Sequence, residues 1–560
     1  MNFKKQIAQY IGLKIDNVNF EEMLTSVQDS NFGDFCIPCF PLAKILRKSP
    51  VMVAEDIQKS ILPNNLIQKT EIINGYLNFF LDKQTVIQHV LADAKTQDFY
   101  KDDEFKGQTV CFDYSSVNLA KYMHIGHLST TIIGESLARM CEAKGYNVVR
   151  INYIGDYGTP FGKMVYAYLT WGNEEELNTR GVDYLQELYV EFCKRAETDE
   201  SYEEQARYYF KKIEEKDPQI YPIYQKFIEI SKLEAEELLN SLNVKFDSWK
   251  GESAYTADLP NVVRMLEDKN LLTESNGAKV VDLSDYNLGI CLIQKSDGTS
   301  LYATRDIAAA IDRFNQYGYN KMMYVTAVQQ KLHFEQFFKV IELLGYDFSK
   351  NLKHVYYGMF SLPSGKIASR KGKQAVLRDL MDFSYNKVLN IVANREFFIE
   401  TKEGVANKIA MSALKYNALK NERIKDSVFD IENCFSFDGD TSAYMQYCYA
   451  RISSILRKAG ECTFGDIDLS YLNKPEIYAL TVAINNYKEK LNTALEQCEP
   501  SILCKYALDL CKLFNKFYTA EKVISDNQKD MQAKLYLLNI LKTTLKNLFS
   551  LICIEPIEEM

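Results

Sequence analysis

The stretch TVCFDYSSVNLAKYMHIGHLSTTIIGESLARMCEAKGYNVVRINYIG, residues 109–155, decides the fold predicted for the middle of the chain. TVCFDYS (109–115) is apolar and aromatic, as in a buried strand, and NVVRINYIG (147–155) predicts a second strand. Apolar residues at helical spacing lie between them, and Gly145 ends that helix. A strand, a helix and a strand in this order form a βαβ unit, which implies a parallel sheet.

Two further stretches extend the predicted sheet. KMMYVTAV (321–328) and HVYYGM (354–359) have strand-like composition and flank the helical pattern HFEQFFKVIELLGY. Residues 170–250 are acidic and helical in pattern, so they predict an insertion between the strands. INGYLNFFL (73–81) alternates as a strand does and closes a small N-terminal α+β unit. Beyond residue 375 the 3.6-residue periodicity predicts helices only.

The sequence therefore predicts an α/β fold with a Rossmann-type parallel sheet, an N-terminal α+β domain and a C-terminal all-α helical bundle. A chain of 560 residues is too long for one core, which favours several domains. The predicted segments are an N-terminal domain with its linker (1–104), the parallel-sheet domain (105–375) with a helical insertion (170–250), a connecting helical stem (376–430) and the bundle (431–560).

Composition narrows the classes of protein. The net charge is −9, so a polyanionic partner would have to bind local basic patches. No signal peptide and no apolar run long enough to cross a membrane is present, and 13 scattered cysteines favour reduced thiols in the cytoplasm. Cys36 and Cys39 form a CxxC without a second pair, so buried thiols are favoured over a ligand pair, and no zinc or other protein-bound metal is expected.

KYMHIGHLST (121–130) places two of the chain's five histidines, His124 and His127, at the start of the predicted helix. Loops at the carboxyl ends of parallel strands hold ligands, and a helix N-terminus favours an anion. Gly126 allows the backbone to approach a bulky ligand, and both imidazoles can donate to one phosphate chain. A lone histidine at such a point is usually a cap or a surface residue. The pair after a buried strand favours a phosphate site instead.

SLPSGKIASRKGKQ (361–374) is a basic loop that follows the last predicted strand. Taken alone it predicts a solvated turn. Combined with the histidine pair it predicts a cationic flap for a triphosphate, because positive charge stabilises the phosphates in nucleotidyl transfer. The basic residues of the loop are Lys366, Arg370, Lys371 and Lys373.

HIGH (124–127) with KIASR (366–370) resembles the paired ATP motifs of class I aminoacyl-tRNA synthetases. Flanking blocks narrow the resemblance to the arginyl-tRNA synthetases and cover almost the whole chain. These blocks are DYSSVNLAKYMHIGHLSTTIIGESLARM (113–140), INYIGDYGTPFG (151–162), LYATRDIAAA (301–310), YVTAVQQKLHF (324–334) and FDGDTSAYMQYCYARISSILRK (437–458).

The resemblance implies a ligase that activates L-arginine with ATP and Mg²⁺ to arginyl-adenylate and then transfers arginine to tRNA(Arg). It implies that the parallel-sheet domain is catalytic, that the bundle binds the anticodon, and that the N-terminal domain contacts the tRNA elbow. A monomer is expected. Two alternatives are a small-molecule nucleotidyltransferase, which would not need the helical C-terminal region, and a non-catalytic tRNA-binding relative, which would be expected to lose His124, His127 or Lys366.

Residue roles are implied position by position. ATP would be bound by Gly126, His124, His127, His333, Lys366 and Arg370. Arginine would be bound by Ser116, Asn118, Glu252, Tyr302, Asp306 and Gln330, with the carboxylate of Asp306 opposite the guanidinium. Asp113 and Tyr114 would either contact the substrate themselves or support the residues that contact it.

Two positions depart from the family pattern. Val117 replaces the usual proline before the loop asparagine, and Ser369 replaces the second lysine of the flap motif. Either Lys121 or Lys371 could supply the missing charge, which adds them to His124, His127 and Lys366 as catalytic candidates.

Residues that would meet tRNA are implied at both ends of the chain. Tyr444, Tyr447, Arg451 and Ser454 share one helical face, which core packing would also explain. An arginine within a buried stripe would need a partner, which favours an RNA-binding face. The remaining residues implied to contact tRNA are Tyr76, Asn78 and Met560.

Overall fold

The structure is a computed structural model that describes residues 2–27, 29–296, 302–363, 376–460, 464–465 and 467–560. It divides into two compact units. The first comprises Met1–Tyr100, Arg451–Lys490 and Leu508–Asn547, and the second comprises Lys101–Ala450, Leu491–Ala507 and Leu548–Met560.

The N-terminal part of the first unit is built around a four-stranded antiparallel sheet of order β1-β2-β4-β3. Its strands are β1 (Thr25–Ser26), β2 (Phe35–Pro38), β3 (Ile67–Ile73) and β4 (Tyr76–Leu81). Its helices are α1 (Phe3–Tyr10), α2 (Phe20–Met23), α3 (Phe40–Leu46), α4 (Pro50–Lys59) and α5 (Lys83–Ala94).

The strand predicted at 73–81 is instead the second half of a hairpin. Asn74 and Gly75 both have positive φ, 51° and 82°, and form its two-residue turn, so Ile73 belongs to β3. The Asn-Gly dipeptide is the sequence signal for such a turn.

A four-stranded parallel sheet forms the centre of the second unit, in the order β11-β10-β5-β6. Its strands are β5 (Thr109–Asp113), β6 (Asn147–Ile151), β10 (Lys321–Tyr324) and β11 (Leu352–His354). The helices that connect or cover them are α6 (Ile125–Ala143), α12 (Leu259–Asp268), α13 (Tyr302–Tyr317) and α14 (Lys331–Leu343). This confirms the predicted α/β fold with a parallel sheet.

Helix α6 packs tightly on the strand that precedes it. Its Gly134 leaves no space for a side chain, since a Cβ there would lie 2.4 Å from Tyr114 Cγ. The helix ends at Ala143, and Gly145 has a φ of 88°, as predicted for a glycine that terminates a helix. The close contact fixes the N-terminal end of α6 beside the carboxyl edge of the sheet.

Several predicted strands extend too far. The strands predicted at 109–115, 147–155 and 321–328 end at Asp113, Ile151 and Tyr324. Of HVYYGM (354–359), His354 alone belongs to a strand, and the pairing beyond it is the single bridge between Ala327 and Tyr357. The predictions were too long because the loops that follow the strands are also buried and therefore also apolar in sequence.

A second sheet in this unit was not predicted. Strands β7 (Leu272–Ser275), β8 (Ala278–Asp282) and β9 (Ile290–Gln294) form an antiparallel sheet. Its Val281 and Ile293 join a core with α12, α13 and α14, in which Ile307 and Phe337 are fully buried. This core supports the start of α13.

The predicted insertion is helical. It contains α8 (Glu174–Arg180), α9 (Val182–Ala196), α10 (Ser201–Glu214) and α11 (Tyr221–Ser241), after α7 (Thr159–Trp171). The rest of the chain contains the short parallel pair β12 (Phe360–Ser361) and β13 (Ser427–Val428), and helices α15 (Leu377–Ile391), α16 (Lys402–Leu419), α17 (Ser442–Lys458), α18 (Pro475–Asn485), α19 (Tyr487–Gln497), α20 (Ser501–Ala520) and α21 (Gln528–Leu551).

Within the second unit, residues 548–560 are held by α6 and by the loop between α15 and α16. Ser136 of α6 donates a hydrogen bond of 2.7 Å to the carbonyl of Leu551, and the Glu559 carboxylate accepts backbone N–H groups of Phe398 and Ile399. None of the described helices is long and apolar enough to cross a membrane.

Candidate active site

The two histidines of HIGH fix each other through the backbone. His124 is the N-cap of α6, and its Nδ1 accepts the Gly126 N–H at 3.1 Å. The His124 N–H in turn donates to Nδ1 of His127 at 3.0 Å. Because both Nδ1 atoms accept, the proton of each neutral ring is on Nε2. Each ring can therefore donate one N–H away from the helix.

Both imidazoles are neutral at physiological pH. Burial, together with the neighbouring His124, lowers the pKa of His127 to about 3, and burial also lowers the pKa of His124. The rings lie together, with centroids 4.0 Å apart. Hydrogen bonds, rather than full positive charges, are what this pair can offer an anion.

The loop that follows β5 has an unusual backbone. Ser115, Ser116 and Ala120 have φ values of 70°, 50° and 60°, in the left-handed region that few non-glycine residues adopt. The Ser115 N–H donates to Thr130 Oγ1 at 3.2 Å, and the Ala120 N–H donates to Ser231 Oγ at 3.0 Å. Strain of this kind persists where surrounding contacts impose it and is concentrated at functional sites. The exposed Asn118 lies within this loop.

The chain that follows the predicted flap returns to the histidine pair. Val376 forms an antiparallel bridge with His124, and the Leu377 N–H donates to the Met123 carbonyl at 2.8 Å. Lys366, Arg370 and Lys371 lie outside the described residues. The described chain thus resumes after the predicted flap in direct contact with the start of the HIGH motif.

Lys121, the other candidate for the missing flap charge, is exposed. Its Nζ lies 5.5 Å from the ring centroid of Tyr189 in the helical insertion.

A buried ion pair lies beneath the carboxyl edge of the sheet. Arg313 of α13 lies 2.8 Å from Asp113 at the end of β5, and their side chains are only 3% and 5% exposed. The guanidinium lies over the rings of Tyr153 and Tyr324, 4.9 and 5.7 Å from their centroids. Burial raises the pKa of Asp113, and Arg313 opposes that rise.

Sequence reasoning missed Arg313. Arg313 lies seven positions after Asp306 on the same face of α13, and the residues between them on that face are apolar. This isolated charge on an apolar face was the signal available in the sequence.

Asp306 itself lies closer to solvent. Its Oδ2 is 2.6 Å from Nε2 of His333, at the start of α14, and the two side chains are 20% and 29% exposed. Tyr302, one helical turn before Asp306, is 65% exposed, and Gln330 is also exposed. The predicted guanidinium site therefore combines an accessible carboxylate with accessible polar neighbours.

Glu252 belongs to the same neighbourhood. It opens a short 3-10 helix, Glu252–Asp258, and its Oε2 lies 3.2 Å from Nε of Arg305. Burial raises the pKa of Glu252 to about 7, against the effect of Arg305 and with a further contribution from the charge of Asp306. The structure thus brings Ser116, Glu252 and Asp306 to one edge of the sheet, with Ser116 Oγ 3.4 Å from Asp113 Oδ1.

The residues implied to meet tRNA occupy different environments. Tyr76 is 41% exposed, whereas Asn78 is 4% exposed and donates to the Glu71 carbonyl within the sheet. On α17, Arg451 NH1 lies 3.3 Å from Asn515 Oδ1. The predicted stripe and the last residue are all partly exposed: Tyr444, Tyr447, Arg451, Ser454 and Met560.

Cys36 and Cys39 carry free thiols, as do the other cysteines among the described residues. No group of three or more histidine, cysteine, aspartate or glutamate side chains in the described part of the chain is arranged to hold a metal ion.

Comparison with known proteins covers the whole chain. Residues 1–81 match the arginyl tRNA synthetase N terminal domain, residues 86–431 match the class I (R) tRNA synthetase catalytic domain, and residues 445–560 match the DALR anticodon binding domain. The chain is 40% identical to the arginine–tRNA ligase of Clostridium kluyveri over 567 residues and to that of Clostridium botulinum over 572 residues, with both chains fully covered each time.

Solved structures show the same fold. The arginyl-tRNA synthetase of Plasmodium falciparum is 26% identical with a TM-score of 0.80, and that of Thermus thermophilus is 23% identical with a TM-score of 0.79. Each comparison covers 100% of this chain and 99% of the other.

Proposed function

Because the chain belongs to the class I arginyl-tRNA synthetase family and is an arginine–tRNA ligase, we propose how its residues carry out the reaction. The carboxylate of arginine attacks the α-phosphorus of ATP, the bond to the β-phosphate oxygen breaks, and pyrophosphate leaves. A hydroxyl of the 3′-terminal ribose of tRNA(Arg) then attacks the arginyl carbonyl, and AMP leaves. The nucleophile of the first step is already ionised, so positioning and electrostatics carry the catalysis.

His124 and His127 bind the phosphates through their Nε2–H groups. Each ring is oriented by the hydrogen bond at its Nδ1, so both donors are fixed before the substrate arrives. Gly126 at the helix start completes this half of the ATP site. Lys366 and Arg370 supply the other half from the flap, and either Lys121 or Lys371 provides the further positive charge.

Mg²⁺ enters with ATP as part of the substrate. The ion would be bound by phosphate oxygens and water, which suit its preference for oxygen ligands.

Arginine binds between Asp306 and the loop after β5. The Asp306 carboxylate pairs with the guanidinium, and Tyr302 and Gln330 lie at the accessible side of the pocket. Ser116, Asn118 and Glu252 bind the α-amino and carboxyl groups. The observation that carries this assignment is that the Asp306 carboxylate is accessible to solvent and lies at the same edge of the sheet as Glu252.

tRNA(Arg) is bound by both ends of the chain. The partly exposed stripe of Tyr444, Tyr447, Arg451 and Ser454, with Met560, meets the anticodon loop by stacking and hydrogen bonding to unpaired bases. Tyr76 provides the exposed ring that meets the tRNA elbow, whereas Asn78 is buried and its amide donates to the Glu71 carbonyl in the same sheet. The protein acts as a monomer in the cytoplasm, where thiols such as those of its free cysteines stay reduced.

Exchange of pyrophosphate into ATP tests the proposal. We expect exchange that depends on L-arginine and is stimulated by, or requires, tRNA(Arg). Absence of arginine-dependent exchange with cognate tRNA would contradict the assignment, and exchange supported by another small carboxylate alone would favour a nucleotidyltransferase.

A further inference from the structure

The partner of Asp306 differs from the partners of the other pocket carboxylates. Asp113 faces Arg313 at 2.8 Å, and Glu252 faces Arg305 at 3.2 Å. Both partners are guanidiniums, which carry a permanent charge. Asp306 instead faces the imidazole Nε2 of His333 at 2.6 Å.

This difference has a direct electrostatic consequence. An arginine beside a carboxylate always adds a positive charge, whereas an imidazole can donate one N–H without adding charge. A carboxylate held by an imidazole is therefore oriented but still negative. That combination suits a group that must receive a cation from solution, and Asp306 is also more exposed than Asp113.

The imidazole is itself held in place. His333 begins α14, and its ring packs beside Phe334 and Phe337 with centroid distances of 5.5 and 5.7 Å. Phe337 is fully buried and Phe334 nearly so. The ring is therefore anchored to the core, while its Nε2 faces Asp306.

We propose that His333 is a positioning residue for the substrate arginine, whereas the family resemblance implied that His333 binds ATP. By donating Nε2–H to Oδ2 of Asp306 it fixes the plane of the carboxylate. Oδ1 and the remaining lone pair of Oδ2 then accept the two parallel N–H groups of the guanidinium. This role rests on the proposed function, because it assumes that Asp306 binds arginine.

Two substitutions separate the hydrogen bond from the packing. His333→Gln keeps an N–H donor and loses the ring, whereas His333→Phe keeps the ring and loses the donor. In pyrophosphate exchange with tRNA present, we expect His333→Phe to raise the KM for arginine about tenfold. The KM for ATP should stay within about twofold, and His333→Gln should restore the KM for arginine to within about threefold of the parent value. His89→Phe, at an exposed histidine, is the matched control.

The possible outcomes are distinct. A raised KM for ATP with an unchanged KM for arginine would return His333 to the nucleotide site. Equal effects of the two substitutions would show that packing, rather than the donor, matters, and no effect on arginine would also refute the role. Failure of the parent enzyme to catalyse arginine-dependent exchange would refute the proposed function itself, independently of His333.

Discussion

The pocket floor, Asp113 with Arg313, and the pocket rim, Asp306 with His333, are both contacts between a carboxylate and a side-chain nitrogen at one edge of the sheet. The floor pair is almost completely buried and joins two permanent charges. The rim pair is partly exposed, and its nitrogen partner need not be charged. Buried pairs chiefly avoid the cost of an unpaired charge, whereas an accessible carboxylate can exchange partners. We therefore expect the floor to control stability and the rim to control substrate binding.

The largest expected effect is loss of stability at the floor. Arg313→Met leaves the Asp113 carboxylate buried without its partner, so the free energy of unfolding should fall by about 3–5 kcal/mol. Denaturant unfolding checks this value. The double variant Asp113→Asn with Arg313→Met should recover most of the loss, and a single variant as stable as the double one would disprove the assignment.

At the rim the expected effect is on binding. Asp306→Ala removes the carboxylate opposite the guanidinium, and loss of a hydrogen-bonded charge pair costs about 2–5 kcal/mol of binding. The KM for arginine should rise about 10²-fold or more, while the KM for ATP changes little. Unfolding free energy should stay within about 1 kcal/mol of the parent. If arginine and ATP were affected equally, the rim would not be the arginine site.

His127 shares the burial of the floor but is expected to act on catalysis. His127→Ala removes an oriented donor to the phosphates, so kcat for exchange should fall about 10²-fold. Steady-state exchange measures this change, with His89→Ala as a control that should leave kcat unaltered. A normal rate would remove His127 from the phosphate site.

The smallest expected effect is a pH dependence that arises from Glu252, which lies near the rim. With a pKa raised to about 7 by burial, Glu252 is mostly protonated at pH 6 and mostly ionised at pH 8. Its ionised form is the one that binds an α-ammonium group, so the KM for arginine should rise, by up to about tenfold, as the pH falls from 8 to 6. Glu252→Gln should have a higher and flatter KM across this range. A parent enzyme with the same flat profile would exclude Glu252 from the amino-group site.

Local patterns predicted much of this organisation. The βαβ unit, the end of α6 near Gly145 and the α/β class followed from hydrophobic periodicity. The hairpin at Asn74 and Gly75 was missed although its dipeptide signal was present. The sheet of β7, β8 and β9 was missed because its strands are short and because β9 has apolar residues, Ile290 and Leu292, on its exposed face, which hides the alternation.

The sequence by itself determined the chemistry of the protein, because the HIGH motif, the TRDIAAA block and the family pattern are local strings of residues. Tertiary structure alone decided which charges meet. Asp113 and Arg313 are 200 positions apart, and they pair because β5 and β10 lie side by side with Asp113 opposite Tyr324. Likewise Val376 reaches His124 only through the folded chain. The register of parallel strands and the packing of helices on them fix such distances, and neither is encoded in the spacing of residues along the sequence.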